Sequence, residues 1–168
     1  MTLADRIVVM STGLVQQIGT PDEIYEQPRN MFVASFLGNP PINYLDGTLV
    51  EDGDAVKFVC GDFKLSIPHV HATKLAGMNG SEVVLGLRPE DVDDTRIAIE
   101  GETIHGHVNF VMPVGSDQFL SMRVEGKEVF FRVGKEIHHR NGENVALAVN
   151  VNRLHLFDKE TQKSLLWD

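Results

Sequence analysis

MTLADRIVVMSTGLVQQIGTPDEIYEQPRNMFVASFLGNPPIN, Met1 to Asn43, decides how the rest of the chain is read, because its apolar faces exceed what so short a segment covers. Arg6 to Met10 is a β-branched apolar run, Ser11-Thr12-Gly13 punctuates it, and Leu14 to Ile18 is a second extended run. Together they read as a hairpin. Thr20-Pro21-Asp22-Glu23 is a helix start: the Thr20 hydroxyl accepts from a backbone N–H, Pro21 takes the first helical position and Glu23 closes a capping box. Pro28 ends that helix. Asn30 caps a second one, on which Phe32, Val33, Phe36 and Leu37 gather toward one side, and Gly38 supplies the left-handed residue that stops it. A hairpin and two short helices enclose no core of their own, so the segment is expected to be the end of a larger domain whose beginning is missing.

Beyond Pro40-Pro41 the pattern changes to short apolar-rich runs with turn residues between them. Strands are expected at 44–50, 55–60, 63–67, 83–87, 103–112, 118–124, 128–133, 144–149 and 153–157. Turns fall at Asp52-Gly53-Asp54, Gly61-Asp62, Gly115-Ser116-Asp117, Glu125-Gly126-Lys127 and Asn141-Gly142-Glu143. Many short strands at this spacing indicate a β-barrel or sandwich, not a helical or doubly wound fold. Val145, Leu147 and Val149 alternate with Ala146 and Ala148, which suggests a strand buried on both faces.

At 168 residues the chain holds one full domain and a piece of another. Its formal net charge of -9 argues against binding a nucleic-acid backbone, which needs clustered Lys and Arg. Cys60 is alone, so no intrachain disulfide forms; it reads as a small core residue and suits a reducing compartment. No run of about 18 apolar residues is present, so no direct membrane insertion is expected.

Several groups could carry chemistry. His69 and His71, His105 and His107, and His138 with His139 form three histidine pairs, and two pairs converging would suit zinc. His69 and His71 follow Pro68 in an expected exposed loop, and no Cys or carboxylate completes a ligand spacing, so no metal site is assigned. Asp91, Asp93 and Asp94 read as a solvated acidic turn. Phe110, Phe119, Phe130 and Phe131 lie within apolar runs and read as core, not as a base-stacking surface. Arg88 and Glu90 flank Pro89 at a strand end, where a fixed turn would aim both charges along a domain boundary.

The opening segment closely resembles the end of the nucleotide-binding domain in ATPase subunits of ABC importers of the maltose and glycerol-3-phosphate type. Gly86-Leu87-Arg88-Pro89-Glu90-Asp91-Val92 resembles that family's Gly-x-Arg-Pro-Glu segment, Val114-Gly115-Ser116-Asp117 its strand-to-strand turn, and Leu154-His155-Leu156-Phe157-Asp158 its closing strand. The resemblance implies a mainly β fold: residues 1–39 as the short α/β tail of the ABC nucleotide-binding domain, and 40–168 as an accessory OB-like (TOBE) β-barrel. It also implies a non-catalytic regulatory and dimerisation region for a sugar or polyol importer, with Phe32, Phe36, Arg88 and Glu90 at interdomain or intersubunit contacts.

The implied partners are a second ATPase subunit, the permease subunits and, in some members, a regulatory protein; the implied location is the cytoplasmic face of the membrane. Barrels in oxyanion importers bind molybdate or tungstate, which makes a small-ligand or oxyanion sensor the alternative. That subgroup's Ser-Ala-Arg-Asn-type strand is missing, and Asn39-Pro40-Pro41-Ile42-Asn43 fits the sugar branch. No cofactor is assigned to this chain; ATP and Mg belong to the full-length parent. No Gly-x-x-x-x-Gly-Lys-Ser/Thr loop occurs here to cradle nucleotide phosphates. Titration with a fluorescent ATP analogue is therefore expected to show no saturable binding in the micromolar range.

Overall fold

In the computed structural model, residues 4–94 and 99–167 are described. Met1, Thr2 and Leu3, which open the segment quoted above, lie outside them. The N-terminal segment follows the local chemistry of its sequence. Strands β1 (Ile7–Ser11) and β2 (Leu14–Gly19) pair as an antiparallel hairpin, with Thr12 and Gly13 both at positive φ in the turn. Helix α1 (Pro21–Glu26) starts on a complete capping box: the Thr20 hydroxyl accepts from Glu23 N–H at 3.2 Å, and the Glu23 carboxylate accepts from Thr20 N–H at 2.8 Å. Helix α2 (Met31–Phe36) starts on the Asn30 side chain, which accepts from Val33 N–H at 2.9 Å. It ends at Phe36, with Leu37 already extended as the C-cap, and Gly38 follows at φ +116, a positive value that favours glycine.

Ten further strands form two five-stranded antiparallel sheets. The first contains β3 (Asn43–Asp52), β4 (Ala55–Cys60), β5 (Phe63–Ile67), β6 (Glu82–Leu87) and β12 (His155–Asp158), in the order β12-β6-β3-β4-β5. The second contains β7 (Val92–Asp93), β8 (Thr103–Val114), β9 (Asp117–Val124), β10 (Lys127–Gly134) and β11 (Asn144–Val149), in the order β10-β9-β8-β11-β7. A one-turn helix, α3 (His69–Ala72), continues into a 3-10 turn at Thr73–Leu75. The main core lies between the sheets: Leu45, Leu49, Phe58 and Leu85 of the first meet Ile104, Leu120, Met122 and Phe131 of the second. The fold is mainly β, with curled, barrel-like sheets.

Two local devices close the barrel. Asn43 stands in for a strand at the open edge of β10: its Oδ1 accepts from Phe130 N–H at 2.8 Å, and its Nδ2 donates to Phe130 O at 2.8 Å and Leu87 O at 3.2 Å. Gly47 of β3 lets Phe58 and Val59 of the neighbouring β4 sit against its backbone, because a Cβ there would lie 2.5 Å from the Phe58 ring and the Val59 carbonyl oxygen.

A register shift in β8 between Val108 and Phe110 corrects one expectation. Before it, Ile104 and Val108 point inward; after it, Val111 turns toward the core while Phe110, Met112 and Val114 face outward. Of the four phenylalanines read as core, only Phe131 is fully buried; Phe110 is exposed, its ring 6.2 Å from Phe130. Strand β11 is buried on both faces only over Leu147–Val149, and Ala146 is exposed. Truncating Phe131 to Ala is expected to cost about 3–5 kcal/mol in urea unfolding, whereas Phe110→Ser should change stability by less than about 1 kcal/mol.

Candidate functional site

The N-terminal segment meets the barrel at a joint built around Arg88. Strand β6 delivers this residue to the sheet end, and Asp91 N–H donates to Arg88 O at 3.1 Å to form the turn that follows. Arg132 N–H donates to Pro89 O at 2.7 Å and Asn150 N–H to Asp91 O at 2.9 Å, so the turn is held from two sides. The Arg88 side chain is 2 % exposed. Its Nη1 donates to Leu37 O at 3.2 Å and its Nη2 to Tyr25 O at 2.5 Å, while the guanidinium lies 3.5 Å from the centre of the Tyr25 ring. Tyr25 is in the last turn of α1 and Leu37 follows α2, so one cation satisfies carbonyls at both helix C-termini.

Asp91 and Arg153 complete the electrostatics. Arg153 pairs with Glu26 of α1, and its Nε lies 3.1 Å from Asp91 Oδ1, in ion-pair range but not aligned for a hydrogen bond. Burial pushes the Asp91 carboxyl up to about 6, against the pull of Arg153 and Arg88. Burial likewise lowers Arg88 to about 10, which leaves it a cation at neutral pH. His155, behind the joint on β12, is driven down to about 3 by burial and by the Arg88 and Arg153 charges, so it sits neutral. The Tyr44 hydroxyl donates to Met31 O at 2.7 Å and ties the start of α2 to β3.

The four residues expected at contacts separate. Arg88 is buried in the joint, whereas Glu90 is exposed and turns away from it onto a shallow acidic cleft shared with Asp93, Asp94, Asp117 and Arg132. Phe32 and Phe36 are 41 % and 54 % exposed on the outer side of α2. The single apolar face expected for this helix is split. Val33 is buried against Val9 and Ile24, with Leu37 beside them, and Ala34 packs on Ile42, Val84 and Phe157. The segment therefore makes a small core of its own and docks on the barrel.

Asp91, read as solvated, is buried, and His71 is buried against the Trp167 ring instead of lying in an exposed loop. His105 and His107 are exposed on β8. His139 lies between Asp94 at 2.8 Å and Glu143 at 2.6 Å. Among the described residues, no group of three His, Cys, Asp or Glu side chains is placed to hold a metal ion. No helix among them is long and apolar enough to cross a membrane. Asp91 and Arg153 were missed as joint residues; the one local signal was a carboxylate two residues after Pro89, and their partner Glu26 is remote in sequence.

The barrel with its docked helical segment defines a class, an OB-like accessory domain, and comparison with known proteins gives the family. Residues 38–92 match the MalK OB fold domain and residues 79–157 the TOBE domain, and the chain belongs to this family. It is 39 % identical over 171 residues to the trehalose/maltose import ATP-binding protein MalK of Thermococcus litoralis, covering 98 % of this chain and 45 % of that protein. It is 34 % identical to the oligosaccharides import ATP-binding protein MsmX of Bacillus subtilis, covering 96 % and 45 %, and 33 % identical to the multiple sugar-binding transport ATP-binding protein MsmK of Streptococcus mutans, covering 98 % and 47 %. The chain thus spans about half the length of the curated relatives it matches. A molybdate-bound structure of the cytoplasmic molybdate-binding protein ModG superposes with a TM-score of 0.53 at 19 % identity, over 68 % of this chain and 94 % of that one, which shows a shared fold.

The joint has a pH signature. Because the Asp91 carboxyl is raised in the folded state, the folded chain holds its proton between about pH 4 and 6 while the unfolded chain does not. This contribution to stability is fully present below pH 4 and lost as the pH rises through 6. Relative to an Asp91→Asn variant, the wild-type chain is expected to gain up to about 3 kcal/mol between pH 7 and pH 4, measured as the difference in urea unfolding free energy.

Proposed function

We propose that this chain is the regulatory and dimerisation region of the ATP-binding subunit of an ABC importer for sugars or polyols. Residues 1–39 are the tail of its nucleotide-binding domain and 40–168 its accessory β-domain. The observation that carries the reading is the match, along nearly the whole chain, to ATP-binding subunits of sugar importers. The joint gives it a physical basis: the tail helices are gripped by a buried cation of the barrel, so the two parts move together.

Two bare apolar faces supply contacts. On the hairpin, Val8 lies across from Ile18 and Met10 from Val15, and all four side chains are exposed. Phe32 and Phe36 of α2 are exposed on the same N-terminal segment, and these side chains are the ones on which the ATP-binding part of a full-length subunit would pack. Phe110, Met112 and Val114 form a second face, on the barrel. In the full-length parent, ATP and Mg are bound by that other part, two subunits close on nucleotide beneath the permease, and paired barrels keep them together. A permanent contact turns closure into a hinge motion and raises the effective concentration of each half. Glu90, exposed beside the joint, is positioned to meet a neighbouring domain or subunit.

Sedimentation of the purified chain tests the pairing. At least a dimer is expected at concentrations on the order of 10 µM. Persistence of the dimer in a Phe32→Ser, Phe36→Ser variant assigns the contact to the barrel, and dissociation assigns it to α2. A wild-type monomer with an ordered N-terminal segment overturns the proposal.

A further inference from the structure

The last residues of the chain fasten the N-terminal segment to the barrel. After β12 the chain reverses in a turn in which the Asp158 carboxylate accepts from the Thr161 N–H at 2.6 Å and hydroxyl at 2.7 Å, with Gln162 at φ +59. It then runs back antiparallel beside β12. Its peptide groups alternate between two neighbours, as those of a strand do. Toward β12, Lys163 O accepts from Asp158 N–H at 2.9 Å and Leu165 N–H donates to Leu156 O at 2.9 Å. Toward the N-terminal segment, Gln162 O accepts from Met31 N–H at 3.0 Å and Ser164 N–H donates to Arg29 O at 2.8 Å. The Met31 N–H is one of the donors that a helix start leaves unpaired, so this stretch also completes the cap of α2.

The other end of the stretch is anchored elsewhere. Leu166 is 1 % exposed in the main core, and Lys74 of the 3-10 turn donates to its carbonyl at 2.5 Å. The Trp167 ring meets His71 of α3 edge-on at 5.6 Å, and Lys74 Nζ lies 5.2 Å from its centre. The Ser164 hydroxyl accepts from Leu166 N–H at 3.2 Å and Trp167 N–H at 3.0 Å, so the two ends share one residue. Trp167 packs with the main core and not with the clusters beneath α2.

We propose that residues 162–167 are a strap that couples the α3 turn to helix α2, so that whatever displaces the Trp167 end shifts how the N-terminal segment is held on the barrel. Its significance for transport rests on the proposed role of that segment as the tail of the nucleotide-binding domain; the coupling itself is a property of this chain alone.

Hydrogen exchange of the full chain, followed by mass spectrometry at constant pH, tests it with two variants. Ser164→Pro removes the N–H that reaches Arg29 and the hydroxyl that holds Leu166 and Trp167, and keeps both bonds to β12, whereas Trp167→Ala removes the ring from the distant anchor, leaves Leu166 in place and keeps all four strap bonds. Both are expected to speed exchange in residues 29–36 by about tenfold or more, with β3, β8 and β9 at wild-type rates. Wild-type exchange of 29–36 in Trp167→Ala overturns the coupling, whatever Ser164→Pro does to folding. Equal acceleration throughout the barrel also overturns it, by reducing the strap to ordinary core. A monomer in sedimentation would leave this result untouched, and a rigid N-terminal segment here would leave the family reading untouched.

Discussion

The structure depends on a charge kept out of water. A buried guanidinium is costly unless its donors and its charge are met, and Arg88 is met from both sides: the N-terminal segment gives two carbonyls at helix ends, the face of Tyr25 and the charge of Glu26, and the barrel gives the charge of Asp91. Removing the segment would strand the cation, and removing the cation would leave two helix C-termini without a donor. Each part thus satisfies polar groups of the other, although each has its own apolar cluster.

Strand edges are treated in the same way. The open side of β10 is occupied by the Asn43 amide at Phe130 and by Pro89 O at Arg132, and the outer side of β12 by residues 163–165. Covering an edge with a short segment satisfies its backbone groups without offering a template to another chain. In both places the covering residues also lie at the junction with the N-terminal segment or its strap. Edge protection and docking are served by the same contacts.

Exposed apolar side chains gather on the hairpin, on α2 and on the outer side of β8. A chain that carries them on both its N-terminal segment and its barrel is suited to bind through one and pair through the other. The net charge of -9 argues against pairing with a nucleic-acid backbone.

Local structure was set by neighbouring residues. The capping box at Thr20, the Asn30 cap, the hairpin turn and most strand limits follow from interactions within a few residues, which is why they are legible without the fold. Arg88 was legible as a residue of interest because Pro89 marks the strand end. Tertiary structure decided the rest. Asp91 and His71 became buried because remote elements closed over them, and the β8 register shift reversed which side of the sheet Phe110 faces. The expected single face of α2 was divided because the hairpin with α1 takes Val33 and the barrel takes the next residue, Ala34, leaving Phe32 and Phe36 exposed. Burial and side-chain facing depend on which distant surfaces meet, and nearest-neighbour chemistry does not carry that information.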